Sequence, residues 1–371
     1  MLDLRSFTLA QFAELCSRLG WEPYRAKQVY SWLWQKGATD MDAMTNLSKE
    51  KRNQLKQEFT IAELKTEKTA RDKDGTVKFT WRLSDGEIVE SVFIPESDRR
   101  TVCVSTQVGC SLGCEFCYTG RMGVRRNLSW HEIAGQVLEV RKRIQGIEES
   151  RNQEAVGSEL DPLTTGPLDP SPLVSNVVFM GMGEPFLNYD ATIEAVTQLN
   201  SDLGLNIGAR KITVSTAGIP DAIRKYARFP LQSRLAVSLN ASDNETRDQL
   251  MPINQRHPLE ELIPAVREFT KLKGKRVTFE YVLIDGVNNR KQDVAQLSRL
   301  LEGIPCKLNL IPFNPFPDSD LKPPPPQEVE RFKLALFPLL PAVTVRRSRG
   351  TNILAACGQL AGPMSESRNC P

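Results

Sequence analysis

The spacing of hydrophobic and polar positions changes character along the chain. In residues 8 to 60, Leu9, Phe12 and Leu15 form an apolar stripe, the period of a helix with one buried face. Pro23 opens "YRAKQVYSWLWQKG", Gly37 closes it and Ser48 caps "KEKRNQLKQEF", which predicts a small helical unit studded with lysine and arginine. The period then shortens to two. "VKFTWRLSDGEIVESVFI" holds two alternating runs meeting at Asp85 and Gly86, a dipeptide favoured in two-residue turns, so a β-hairpin connector is expected.

From residue 101 onward, β-rich apolar runs near 101, 176, 211, 234, 276, 306 and 342 alternate with helical patterns. One of these, "SWHEIAGQVLEVRKRI", opens with Ser129 and Glu132 at capping-box spacing. Strand and helix alternation predicts an α/β fold with a parallel sheet, and six to seven strands make an incomplete barrel open on one side. The expected organisation is a helical accessory domain over 1–65, a hairpin connector over 66–100, the partial barrel over 101–361 and a tail over 362–371. Two stretches break the rhythm. Residues 146–175 are rich in Pro, Gly, Ser and acids and read as a flexible surface insertion. "KPPPPQ" at 322–327 reads as a stiff loop, neither helix nor central strand.

Composition narrows the class. With 371 residues, 40% hydrophobic and 25% charged, the chain can bury a substantial core. No window is apolar enough to span a bilayer and the first twenty residues carry charges throughout, so a cytoplasmic protein without a membrane partner is expected. A net charge of +3 permits a polyanionic partner without demanding one. Eight cysteines in a long chain of this kind argue for reduced thiols, with clustered ones serving as metal ligands or catalysts.

Cys110, Cys114 and Cys117 have C-x3-C-x2-C spacing, with no histidine or fourth cysteine nearby to complete a tetrahedral zinc site. Three thiolates on a [4Fe-4S] cluster leave one iron open to a substrate, whereas an electron carrier would normally complete the cluster with a fourth cysteine. The plainer alternative is three buried or zinc-bound thiols.

With Phe116 before its last cysteine, the triad resembles the signature of the radical S-adenosylmethionine (SAM) superfamily, whose fold is a partial (β/α)6-type barrel. "GCSLGCEFCYTGRMGVRRNL", "GMGEP", "STAGI", "LIPFNP", "RGTNILAACGQL" and the N-terminal "YRAKQVYSWLWQKG" follow one another in the order of the RlmN/Cfr family of RNA adenosine methyltransferases. The likeness spans nearly the whole chain apart from 146–175 and is closer to the RlmN branch, which makes 2-methyladenosine in 23S rRNA and in some tRNAs.

The resemblance implies a [4Fe-4S] cluster on the three cysteines and SAM bound by Gly183, Glu184, Ser215, Ser238, Asn240 and Asn314. One SAM would methylate Cys357, and a radical from a second would strip hydrogen from that methyl so that its methylene adds to adenine. Glu90 would act as base, and Cys103 would resolve the protein–RNA adduct and end in a disulfide with Cys357. Taken singly, Cys103 and Cys357 read as buried free cysteines, while Cys16, Cys306 and Cys370 have no such context and read as structural or incidental. Glu90 shares a strand face with Ile88, Val92 and Ile94, which periodicity leaves open as buried or as an exposed edge. The family usually has histidine where Asn240 stands. RNA phosphates would meet Arg121, Arg125 and Arg126 after the triad and Arg346, Arg347 and Arg349 before Cys357. A flavodoxin or ferredoxin system would supply electrons to a monomer. The alternatives are a Cfr-like adenine-C8 methyltransferase and an iron–sulfur RNA-binding paralogue without methyl transfer.

Overall fold

The computed structural model describes residues 1–156 and 173–360, so most of the expected insertion, the 362–371 tail and Cys370 lie outside the described residues; residues 146–156, expected to belong to that insertion, instead continue the helix that starts at Trp130. At the N-terminus a short strand, β1 (Leu2–Asp3), precedes helices α1 (Leu9–Arg18), α2 (Tyr24–Trp34) and α3 (Lys49–Glu58). Thr8 and Gln11 cap α1 reciprocally, and the Ser48 hydroxyl accepts from the Lys51 amide at 3.3 Å, satisfying donors that a helix start leaves orphaned. Phe12, Leu15, Val29 and Leu33 are buried where α1 meets α2. The chain leaves through β2 (Phe59–Thr60), paired with β1.

The strands β3 (Lys65–Arg71), β4 (Val77–Arg82) and β5 (Ile88–Pro95) form an antiparallel meander whose last strand pairs with β6 (Arg100–Cys103). A separate ribbon, β7 (Gln107–Cys110) and β8 (Gly123–Asn127), brackets the cysteine loop. Then come α4 (Trp130–Val156), β9 (Asn176–Phe179), α5 (Tyr189–Asn200), β10 (Ile212–Thr216), α6 (Pro220–Arg228), β11 (Arg234–Ser238), α7 (Asn244–Leu250) and α8 (Leu259–Lys273). The series ends with β12 (Val277–Leu283), α9 (Lys291–Leu300), β13 (Cys306–Pro312), α10 (Pro326–Leu336) and β14 (Val343–Val345).

Ten strands make one sheet in the order β14-β13-β12-β11-β10-β9-β6-β5-β4-β3. The seven from β6 to β14 are parallel neighbours in chain order, joined mostly by helices, and the sheet does not close. This is the expected partial barrel. Val177, Val214, Val237, Phe279 and Leu308 are fully buried, as parallel strands covered on both faces require. Ser129 caps α4, its backbone amide donating to Glu132 at 2.8 Å.

Four local expectations need correction. The hairpin loop has three residues, 84–86: the Gly86 amide donates to Leu83 O at 3.1 Å, the Leu83 amide donates to Glu87 O at 2.8 Å, and Gly86 has φ +87°. That left-handed glycine makes the bulge that lets an ordinary turn follow the strand twist. The hairpin is also two strands of the main sheet, extended by β3, whose sequence "KTEKTAR" is too polar to announce a strand. In the proline run, Pro325 caps α10 and Pro326 fills its first position, where the missing amide hydrogen costs nothing. Finally, α7 was not anticipated; Asp243 caps it, accepting from the Thr246 amide at 2.8 Å. Among the described residues no helix is long and apolar enough to cross a membrane.

Candidate active site

The strand ends of the parallel sheet and the cysteine loop enclose a cavity of about 890 Å³, part of it open to solvent. Cys110, Cys114 and Cys117 line it together with Gly183, Glu184, Ser215, Ser238 and Asn240. Residues from four separate stretches of chain therefore converge as the motifs imply.

Cys110 ends β7, and Cys114 and Cys117 follow on the loop. Burial, reinforced by neighbouring thiols, pushes Cys110 up to about 12 and raises Cys114 and Cys117 as well. Thiols held neutral by burial lose their protons when a cationic centre binds them. Among the described residues no three His, Cys, Asp or Glu side chains are arranged to hold a single metal ion. Three thiols on one cavity wall, beside Leu112 and the stacked rings of Tyr118 and Phe316 at 5.3 Å, are the residues that would hold a cluster.

Glu184 is 3% exposed and its two oxygens accept from the amides of Phe186 at 2.9 Å and Ala217 at 2.8 Å. Burial raises its pKa despite these bonds, and a cationic group placed beside it would favour the carboxylate again. Gly183 beside it has φ +94°, and a Cβ there would sit 2.8 Å from the Gln107 amide nitrogen, so only glycine permits this close approach. Ser215 and Ser238 lie near the ends of β10 and β11. Asn240 follows with φ +57°, a left-handed conformation that asparagine tolerates. Its Oδ1 accepts from the Val282 amide at 2.8 Å and its Nδ2 faces the Met251 sulfur at 3.2 Å, so the side chain pins the end of β11 to β12 while lining the cavity. Asn314 is not on that lining; its Nδ2 donates to the Cys357 carbonyl at 3.0 Å.

Cys357 lies beyond β14 on a segment held to the cysteine loop, where the Tyr118 amide donates to Gly358 O at 2.7 Å. It lines the large cavity and also a narrower one that Cys103 and Cys117 share. Cys103, at the end of β6, is pushed up to about 12 by burial and then by the neighbouring Cys357. Both thiols are free. Cys16 and Cys306 are buried in the hydrophobic core.

Glu90 is 2% exposed because β5 runs between β4 and β6, which removes the exposed-edge alternative. Its Oε1 lies 3.1 Å from Lys78 Nζ and 3.4 Å from the Thr80 hydroxyl. Ile94, farther along the same face, lines the narrower cavity.

The arginines divide. Arg125, largely exposed, makes one surface pair with Glu87 at 2.9 Å, whereas Arg126 is held between two carboxylates of its own chain, Asp85 at 2.6 Å and Glu132 at 2.9 Å. Arg121 donates to Asp318 O at 2.6 Å over the Phe316 ring, and Arg346 lines both cavities. Three polar residues here escaped sequence reasoning. Glu280 on β12 lines the cavity, raised by burial and bonded to Asn309 at 2.7 Å. Buried Arg247, pulled down to about 10 by desolvation, donates to the carbonyls of Ala217 at 2.6 Å and Leu239 at 3.0 Å. Lys78 is the third, and no spacing rule singles out any of them.

Comparison with known proteins supplies the context. Residues 2–61 match the ribosomal RNA large subunit methyltransferase N-terminal domain and residues 173–298 the radical SAM superfamily. The chain is 45% identical to the dual-specificity RNA methyltransferase RlmN of Anaeromyxobacter dehalogenans over 97% of its length and 91% of the relative's. It is 44% identical to the protein of the same name from Anaeromyxobacter sp. over 100% and 94%. The crystal structure of a radical SAM methyltransferase from Sphaerobacter thermophilus superposes with a TM-score of 0.86 at 41% identity, covering 98% of this chain and 100% of that one.

Proposed function

The chain belongs to the RlmN family of radical SAM RNA methyltransferases, and from that premise we propose that it makes 2-methyladenosine in 23S rRNA and tRNA with Cys357 as the methyl carrier. The observation that carries this reading is the position of Cys357, which lines the cavity of the cluster thiols and the one that leads to Cys103. A carrier must receive a methyl group on one side and be cleared of its product on the other.

Adenine C2 is an electron-poor amidine carbon, so polar delivery of a methyl cation fails there and a radical route is needed. The [4Fe-4S] cluster and SAM, when bound, supply that one-electron chemistry: the radical that strips hydrogen from the S-methyl group and the acceptor for the surplus electron of the adduct. Cys110, Cys114 and Cys117 would hold the cluster, while Gly183, Glu184, Ser215, Ser238 and Asn240 would bind SAM, Glu184 by accepting from its ammonium. Asn314 fits better as a support for Cys357 than as a SAM contact, because its donor is spent on the Cys357 carbonyl.

In this reading Cys357 sulfur first takes the methyl group, then carries the methylene that bonds to C2. Glu90 takes the ring proton. Cys103, as thiolate, attacks Cys357 sulfur; the sulfur–methylene bond breaks, its electron pair leaves with the methylene, and a proton completes the methyl group. Residues 1–65 would contact the RNA: Tyr24 is exposed and Lys36 sits over the Trp32 ring at 3.6 Å, an aromatic and cationic surface suited to splayed bases and phosphates. The 66–100 connector would present the base to the 101–361 barrel.

The test is anaerobic turnover of the reconstituted holoenzyme with rRNA and tRNA, read by nucleoside mass spectrometry. 2-Methyladenosine that vanishes in Cys357→Ala supports the proposal. 8-Methyladenosine would assign the C8 chemistry, and SAM cleavage without methylated product would identify a paralogue that has lost transfer.

A further inference from the structure

We propose that Lys78 is a positioning residue that couples the alignment of the base to the seating of the methyl carrier. This rests on the reading of Glu90 as base and Cys357 as carrier. Lys78 projects from β4, the strand beside Glu90, and its Nζ makes two contacts: 3.1 Å to Glu90 Oε1 and 3.2 Å to the carbonyl oxygen of Leu354. An ammonium has three donors in a compact head. Two of them here join the base to a point three residues before Cys357.

The surroundings make this tie specific. Lys78 is 8% exposed and Glu90 2%, and burying two charges is unfavourable unless they pair and their remaining hydrogen-bonding capacity is met. The carbonyl of Leu354 supplies part of that capacity. Leu354 has φ +51°, a left-handed conformation that is strained for a non-glycine residue and persists only where surrounding contacts enforce it. Those contacts come from the strand pair carrying Lys78. The amide of Gly350 donates to Asp74 at 3.1 Å, and Asn352 gives its backbone amide to Asp72 at 3.2 Å and its side-chain amide at 2.8 Å. Upstream of Cys357 the segment is therefore latched to the β3–β4 turn and Lys78, and downstream to the cysteine loop.

The consequence concerns one step. While the adenine ring is bonded through methylene to Cys357, the position of the Leu354 segment decides where the ring C–H lies. Lys78 sets the orientation of the carboxylate that must receive that proton. Loading of the methyl group onto Cys357 uses neither the Lys78–Glu90 contact nor the proton transfer, and without Lys78 the segment keeps its bonds to Asp72, Asp74 and the cysteine loop, so loss of Lys78 should separate the two halves of the reaction.

The experiment is a single anaerobic turnover of holoenzyme with RNA, comparing the parent with Lys78→Gln, Lys78→Arg and Glu90→Gln. S-methyl on Cys357 is read by peptide mass spectrometry, covalent protein–RNA adduct by denaturing gel, and product by nucleoside analysis. Lys78→Gln is expected to keep parental methyl loading, lose at least about tenfold in product rate and accumulate adduct, with Lys78→Arg restoring most of the rate. Loading and product falling together without adduct, and no rescue by arginine, would overturn the coupling and leave Lys78 as a packing residue. If Glu90→Gln makes product at the parental rate, the base reading fails whatever Lys78 does; if Glu90→Gln blocks product and Lys78→Gln does not, only the coupling fails. Should Lys78→Gln not fold, Asp72→Asn loosens the same latch without touching the buried pair and carries the same expectation of loaded Cys357 and accumulated adduct; unchanged turnover there would refute the latch.

Discussion

Asn314 donates from Nδ2 to the carbonyl oxygen of Cys357 at 3.0 Å, so a residue of the barrel rim fixes the backbone of the proposed methyl carrier. Replacing it by leucine removes one partly buried hydrogen bond, worth about 1 kcal/mol, or roughly a fivefold change in how often Cys357 is correctly placed. The expected outcome is slower methyl loading of Cys357 with unchanged SAM affinity, checked by peptide mass spectrometry beside equilibrium binding. A rise in the SAM dissociation constant without a change in loading at saturation would return Asn314 to the SAM site.

Cys103 is the proposed resolving thiol. Cys103→Ala should make one covalent bond to RNA per molecule and release almost no methylated nucleoside, because nothing remains to attack the Cys357 sulfur. Denaturing electrophoresis of labelled RNA gives the answer. Adduct that clears at the parental rate would remove Cys103 from the mechanism.

Burial pushes the Cys103 thiol up to about 12, the neighbouring Cys357 thiol adding to it, and burial, the larger cause, persists when Cys357 is alkylated. Only the thiolate attacks sulfur, so adduct resolution should accelerate about tenfold per pH unit between roughly pH 7 and 9, well below that value. The decay of preformed adduct after a pH jump measures it. A rate flat across this range would show that another step limits release.

Asn240→Ala should destabilise the protein by about 2 to 3 kcal/mol, the sum of a Val282 amide left without its partner and an alanine forced to φ +57°. Chemical denaturation of the apo protein reads this directly. A change under about 0.5 kcal/mol, the size of an ordinary surface substitution, would mean the side chain is not holding β11 to β12.

Much of this architecture is written in the sequence, because parallel strands buried on both faces give apolar runs such as "KITVST" and "RLAVSL" that need no context. The cysteine triad is legible for a different reason, since ligation of a cluster fixes its spacing. What escaped depends on coverage. Whether Glu90 faced solvent or core hinged on β3 and β4 continuing the sheet, and β3 is nearly all polar. Lys78 sits on a face that alternation assigns to solvent, yet the 350–354 segment, hundreds of residues away, covers it. Arg125 and Arg126 looked free because their carboxylate partners, Glu87 and Asp85, lie across the sheet edge rather than at helical spacing.

The central claim is that the methyl group reaches adenine by way of the Cys357 sulfur. Holoenzyme loaded on Cys357 with a trideuterated methyl group, freed of unreacted label and then given unlabelled SAM and RNA in a single turnover, tests it most directly. The account predicts 2-methyladenosine whose methyl carries two deuterium atoms and one hydrogen, because one deuterium leaves when the methyl becomes methylene and a proton replaces it on release. A methyl group with three deuterium atoms, or with none, would contradict it.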